Sequence, residues 1–390
     1  METILQNLKS KIAIIYLLGF IFALQGAIPA YINSSFLTTF ISEETVGLIY
    51  ILSSTCGLLS LLLAPWLLRK FTGQRVALTA AGLQIVCLFG LSFFQTREII
   101  FGLFCLSSVA GATLAYTLDL FLESLSQNKQ TGGIRGVYLT FINLAWLASP
   151  FLGTLVLGDN FFWRIYFVSG LIMLPVFFSV LYGLKGFSVG QAEVNSLWSG
   201  FMKVLANKNI RYIFGVNFLL QLFYSWMIIY TPIYLHVNIG LPWPTIGLIF
   251  TIMLVPFVIF DIPLGKVADK WLGEKEILTF GLLLTGFSTL AISFLTDQII
   301  WLWTLILLLT RIGASATEIM SETYFWKKIN ETNTEIVSFY RILGPLSFIV
   351  GPALASILFY FGLDFKYLFV VLGFSMLLGL NFSFRLKDTK

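Results

Sequence analysis

Apolar runs of about 20 residues, the length that spans the hydrocarbon of a bilayer as a helix, follow one another along the chain, separated by short polar breaks. They begin near Ile12, Thr45, Arg75, Ile99, Gly133, Phe161, Arg211, Thr245, Glu276, Ile299, Glu335 and Asp364, twelve in all. None shows the period-two alternation of a barrel strand, so the pattern predicts α-helices, which satisfy their own backbone amides in lipid. Short breaks imply antiparallel neighbours. One longer polar stretch, 185 to 211, leaves six runs on either side. Within it Val194, Leu197, Trp198, Phe201 and Leu205 recur at helical spacing, which predicts a short amphipathic helix lying on the membrane surface. The expected organisation is a six-helix bundle over 1–184, a linker over 185–210 and a second bundle over 211–390.

The two halves echo each other. Glu44 to Ile51 reads ETVGLIYI and Pro244 to Thr251 reads PTIGLIFT, 200 positions later. Pro29 and Tyr31 recur as Pro232 and Tyr234, and Arg75 as Lys275. Ile134, Tyr138 and Pro150 recur as Ile336, Tyr340 and Pro352 at a constant offset of 202. Parallel repeats of this size in an apolar chain imply one helical unit used twice, with the working site near the repeat boundary. The expected fold class is an all-α membrane protein of twelve transmembrane helices in two pseudo-symmetric six-helix bundles.

Composition agrees: 58% of residues are hydrophobic and 11% charged, too little polar surface to coat a water-soluble globule of 390 residues. The charge bias orients the helices, because Lys and Arg are retained in cytoplasmic loops. Taking alternate loops, 19 basic residues fall on the side of Lys9 and Lys11 and three, Arg97, Arg164 and Lys366, on the other. Both termini are therefore expected in the cytoplasm and the protein integral to the cell membrane. The net charge of +5 is spread singly over many loops, which disfavours nucleic-acid binding. The first run extends to about Asn33, too long for a signal-peptide core, and reads as an uncleaved span. Cys56, Cys87 and Cys105 lie in apolar runs without metal spacing and read as packing residues. Neither a phosphate-binding Gly-rich loop nor a catalytic constellation is present, so no cofactor, metal or enzymatic activity is expected. A monomer is expected.

After the eighth run the chain reads Gly265, Lys266, Val267, Ala268, Asp269, Lys270, Trp271, Leu272, Gly273, Glu274, Lys275. This resembles the signature loop of the major facilitator superfamily, Gly-x-x-x-Asp followed by basic residues and a Gly, with one residue extra. The equivalent first-half loop, Pro65 to Arg75, departs from it, with Arg69 in the Asp place and Pro65 in the Gly place. The resemblance covers the whole chain through the span count, the repeat and the linker. It implies two rigid bundles that rock about a midplane site. It also implies that Asp269 faces the start of the fifth span at Arg135, and by pseudo-symmetry that Arg69 faces the start of the eleventh, which offers Glu331 and Glu335. Asp261, on one helical face with Gly265 and Asp269, supports this gate. The superfamily's export signature of the fifth span is degraded here to Ser149, Pro150 and Gly153, with a closer Gly351-Pro352 in the eleventh.

An ionisable side chain at the centre of a span costs about 2.5 to 3.5 kcal/mol, so each calls for a partner or a task. Arg311, Glu318 and Glu322, spaced by seven and four residues, project within roughly 40° of one another on the tenth span. Arg341 comes to a matching depth on the eleventh and is expected to pair with Glu318 or Glu322. These groups either fix helix packing as a neutral cluster or take up and release a proton as water access alternates. Glu318 is the first candidate for the second role, Asp119 with Glu123 the next. Arg311 suits an anionic substrate group or a counter-ion to Glu318. Gln25, Asn143, Asn217 and Gln221, with Tyr116 and Tyr224 among the aromatic residues, are candidates for the cavity wall. The expected function is secondary active transport of a small organic solute, proton-coupled and somewhat toward efflux. The alternatives are a proton-coupled importer of a sugar- or nucleoside-like nutrient and a non-transporting sensor on the same scaffold.

Overall fold

The computed structural model describes residues 2–125, 131–158, 160–184, 197–260, 263–264, 267–268, 273–329 and 334–387, and every regular element among them is helical. Six helices come first: α1 (Glu2–Ala30), α2 (Val46–Lys70), α3 (Gly73–Phe93), α4 (Arg97–Leu125), α5 (Thr131–Leu157) and α6 (Phe162–Phe178). After α7 (Leu197–Ala206) come α8 (Lys208–Ile233), α9 (Trp243–Ile259), α10 (Glu274–Ile292), α11 (Ile300–Lys328), α12 (Thr334–Tyr360) and α13 (Leu368–Leu378), the last continued by Leu380–Arg385. Eleven of these segments are long and apolar enough to cross a membrane, with mean hydropathy of 1.3 to 2.1 over their best windows. The remaining span is α9, apolar and 17 residues long, about 26 Å at the helical rise. All twelve expected runs are thus helices.

Large apolar side chains stay on the surface, as a lipid solvent demands: Leu155 is 62% exposed, Phe93 67% and Phe287 61%. Two proline-containing helices end in wide π turns: Ser179–Gly183 follows α6, which carries Pro175, and Tyr234–Asn238 follows α8, which carries Pro232.

The contacts divide the chain into two units, residues 1–41 with 52–194 and residues 42–51 with 195–390. In the first, α3 packs on α4 and α6, and α1 on α5, α6 and α4. In the second, α10 packs on α11 and α13, and α8 on α12, α11 and α13. For these helices the arrangement is the same in both units. The repeated tyrosines both face the first helix of their own unit: Tyr138 of α5 lies over Gly19 of α1, while Tyr340 of α12 meets the ring of Phe214 of α8 at 5.2 Å. The echo in the sequence is therefore an echo in packing.

The most extensive helix pair, α10 with α11, is built on small residues. A Cβ on Gly281 would lie 2.5 Å from Thr317 Oγ1 and 2.7 Å from the Gly313 carbonyl, and a Cβ on Gly313 would lie 2.6 Å from Thr285 N. The threonine hydroxyls turn back on their own helices, Thr285 to Gly281 O at 2.8 Å and Thr317 to Gly313 O at 2.9 Å. The hydroxyls at the seam are thus satisfied within their own helices, and the two backbones meet directly.

Candidate functional site

Asn217, Gln221 and Tyr224 stand at i, i+4 and i+7 on α8, one face of the helix. Across from them α11 carries Arg311 and Glu318. The Tyr224 hydroxyl donates to Glu318 Oε2 at 2.6 Å, a short bond of the charge-assisted kind. The Arg311 guanidinium lies 5.2 Å from the ring centre of Phe223 and 5.7 Å from that of Tyr224, within cation–π reach of both. Arg311 is 1% exposed, the only charged residue besides Glu274 among the buried described residues. Two of its nitrogens, Nε and Nη2, have no hydrogen-bond partner, and neither has the buried Asn217 Oδ1. Four sequence candidates are thus brought together in one unit: Arg311, Glu318 and Tyr224 in contact, with Gln221 one turn away.

Glu322, one turn beyond Glu318, opens on a cleft of about 550 Å³ lined with Ile319, Thr323, Trp326 and Lys327. Both Glu322 and Arg341 have exposed side chains, and the hydroxyl of Tyr340 sits near Asn217 and Ser321 within electrostatic reach of Glu318 and Glu322. The bonding partner given to Glu318 is Tyr224, which apolar patterning could not rank above the other aromatic residues.

In the first unit Gln25 is buried on α1 with Oε1 unpartnered, while Tyr116 and Asp119 are half-buried one turn apart on α4 and Asn143 is half-buried on α5.

Of the gate residues, Asp261, Gly265 and Asp269 lie outside the described residues, as does the side chain of Arg135. Gly273 has φ of 86°, a left-handed conformation that favours glycine, and its N–H bonds to Ala268 O at 3.1 Å. That turn delivers Glu274 into the first turn of α10, where its carboxylate, 2% exposed, pairs with Lys327 at the end of α11. An anion is favoured there by the helix dipole as well. Arg69 is exposed at the end of α2. Glu335 bonds to Lys203 Nζ at 2.7 Å and Ser199 Oγ at 2.5 Å, both on α7.

On helix α7 Gly200 and Val204 are buried and Phe201 meets Phe339 at 5.6 Å, while Leu205 is exposed. Gly200 lets the helix settle against the Glu335 carbonyl of α12. Sequence reading missed this docking, the Glu274–Lys327 pair and the glycine seam; small residues at i and i+4 on α10 and α11 were the available signal for the last.

Residues 213–390 match the family model of the Major Facilitator Superfamily. No curated protein matches the chain. Among solved structures the chain is similar to the crystal structure of a mutant of the nucleoside transporter NupG, with a TM-score of 0.77 at 11% identity over 96% of this chain and 99% of that one. Identity that low speaks for the fold.

Proposed function

We propose that this chain belongs to the major facilitator superfamily and is a secondary active transporter that moves a small organic solute across the cell membrane by alternating access, coupled to protons. Glu318 is the proton-carrying group. The observation that carries this reading is the Tyr224–Glu318 bond of 2.6 Å beside the buried Arg311, three polar groups inside membrane spans where each alone is costly. A carboxylate bonded by a neighbouring hydroxyl keeps its position while its proton is exchanged with whichever side water reaches. The surplus of basic residues in alternate loops supports cytoplasmic termini. Gly351-Pro352 in α12 supports efflux ahead of uptake.

The test is a solute screen in proteoliposomes with and without an imposed pH gradient, repeated with Glu318→Gln and Asp119→Asn. Glu318→Gln should abolish uphill transport and leave downhill exchange. If both variants still drive uphill transport from a pH gradient, the coupling assignment is lost. A second reading, uptake of a nucleoside- or sugar-like nutrient, draws on the amides Asn217 and Gln221 beside aromatic rings and on the likeness in fold to the nucleoside transporter NupG. Pre-loaded uridine or glucose counterflow distinguishes it.

A further inference from the structure

Arg311 has an edge to spare. Its Nε and Nη2 lack hydrogen-bond partners, and among the described residues no carboxylate lies within ion-pair reach of it. Neighbouring hydroxyls are committed elsewhere: Thr310 donates to Leu307 O at 2.6 Å and Ser315 to Pro256 O at 3.4 Å. Glu318, two turns along the same face, is engaged by Tyr224.

A guanidinium is always charged in a protein, so burial cannot neutralise it as it would a lysine or a carboxylate. The rings of Phe223 and Tyr224 stand within cation–π distance of it. The rim of its plane, where the N–H donors lie, needs an acceptor besides. Nε–H and Nη2–H leave that rim side by side, in the fork that accepts the two oxygens of a carboxylate. A neutral hydroxyl or amide oxygen would meet the donors but leave the buried charge without an anion, the less favourable arrangement in a medium of low dielectric.

We infer that the Nε/Nη2 edge of Arg311 seats a carboxylate of the transported solute, so that the substrate class is small organic anions. The substrate assignment rests on the transporter reading, while the anion site can be tested apart from it.

The experiment measures thermal unfolding of the purified full-length protein with matched probes, benzoate against benzamide and succinate against succinamide, at constant pH and ionic strength. At least one carboxylate should raise the unfolding midpoint in a saturable manner and its amide should not. Arg311→Gln should weaken that binding about tenfold or more, and Arg311→Lys should fall between, because an ammonium keeps the charge without the fork. Equal effects of acid and amide, no carboxylate effect in the wild type, or unchanged carboxylate binding by Arg311→Gln would each overturn the inference. Size-exclusion profiles of both variants report their folding, and Arg311→Lys keeps the test alive if Arg311→Gln misfolds. Counterflow of the same probes in proteoliposomes separates the two readings: carboxylate binding without any transport preserves the anion site and removes the transporter, whereas transport of neutral solutes alone does the reverse.

Discussion

Replacing Gly313 by Ala should destabilise the protein, although alanine is the better helix former. The new Cβ would lie 2.6 Å from Thr285 N and 2.7 Å from Gly281 O. Both are backbone atoms that cannot rotate aside, and ordinary contact begins near 3.4 Å. Helices α10 and α11 must therefore part by roughly 0.7 Å or more, a gap of the size that forfeits a quarter to a half of the dispersion attraction between facing atoms. Overpacking of this kind costs about 1 to 3 kcal/mol. The gain from replacing glycine within a helix, about 0.5 to 1 kcal/mol, offsets only part of it. Gly102 of α4 supplies the control, since a Cβ there meets nothing within 4 Å. Gly102→Ala should be neutral or stabilising. The two variants should differ by roughly 2 kcal/mol, a difference at the upper end of the 5- to 30-fold range in folded-to-unfolded ratio. Equilibrium unfolding in a detergent titration, followed by the fluorescence of the ten tryptophans, measures it. If Gly313→Ala is as stable as Gly102→Ala, backbone contact is not what holds the seam.

Other expectations follow from single contacts. A double-mutant cycle of Glu274→Gln and Lys327→Met should return a coupling of about 1 to 3 kcal/mol; a value within experimental error of zero would reduce the pair to a surface contact. Gly200→Val should release α7 from α12, seen as faster protease cleavage of the linker with transport variants as comparison, and cleavage at the wild-type rate would count against the docking. Gly273→Ala forces a Cβ into a left-handed backbone at φ 86° and should cost about 1 to 2 kcal/mol in the same unfolding assay. No loss of stability there would mean the turn before α10 relaxes freely.

The twelve helices, their lipid surroundings and the duplication were legible in the chain because they depend on local quantities: run length, hydropathy and the offset between similar words. So was the stripe of Arg311, Glu318 and Glu322, since helical periodicity alone aligns those positions. The sequence could also mark Gly265 to Gly273 as the better-preserved signature loop, and the family match covers that half and not the one in which Arg69 stands in the Asp place. What lay beyond it was choice of partner. Tyr224 and Glu318 are 94 residues apart, and nothing in either stretch selects that hydroxyl from the other tyrosines. Glu335 bonds to Lys203 and Ser199, more than 130 residues away, because a buried glycine brings α7 against it. Which donors of Arg311 remain unsatisfied is likewise decided only once the helices are packed around it. In a chain this apolar, side-chain chemistry tells which residues need a partner, and only helix packing tells which one each receives.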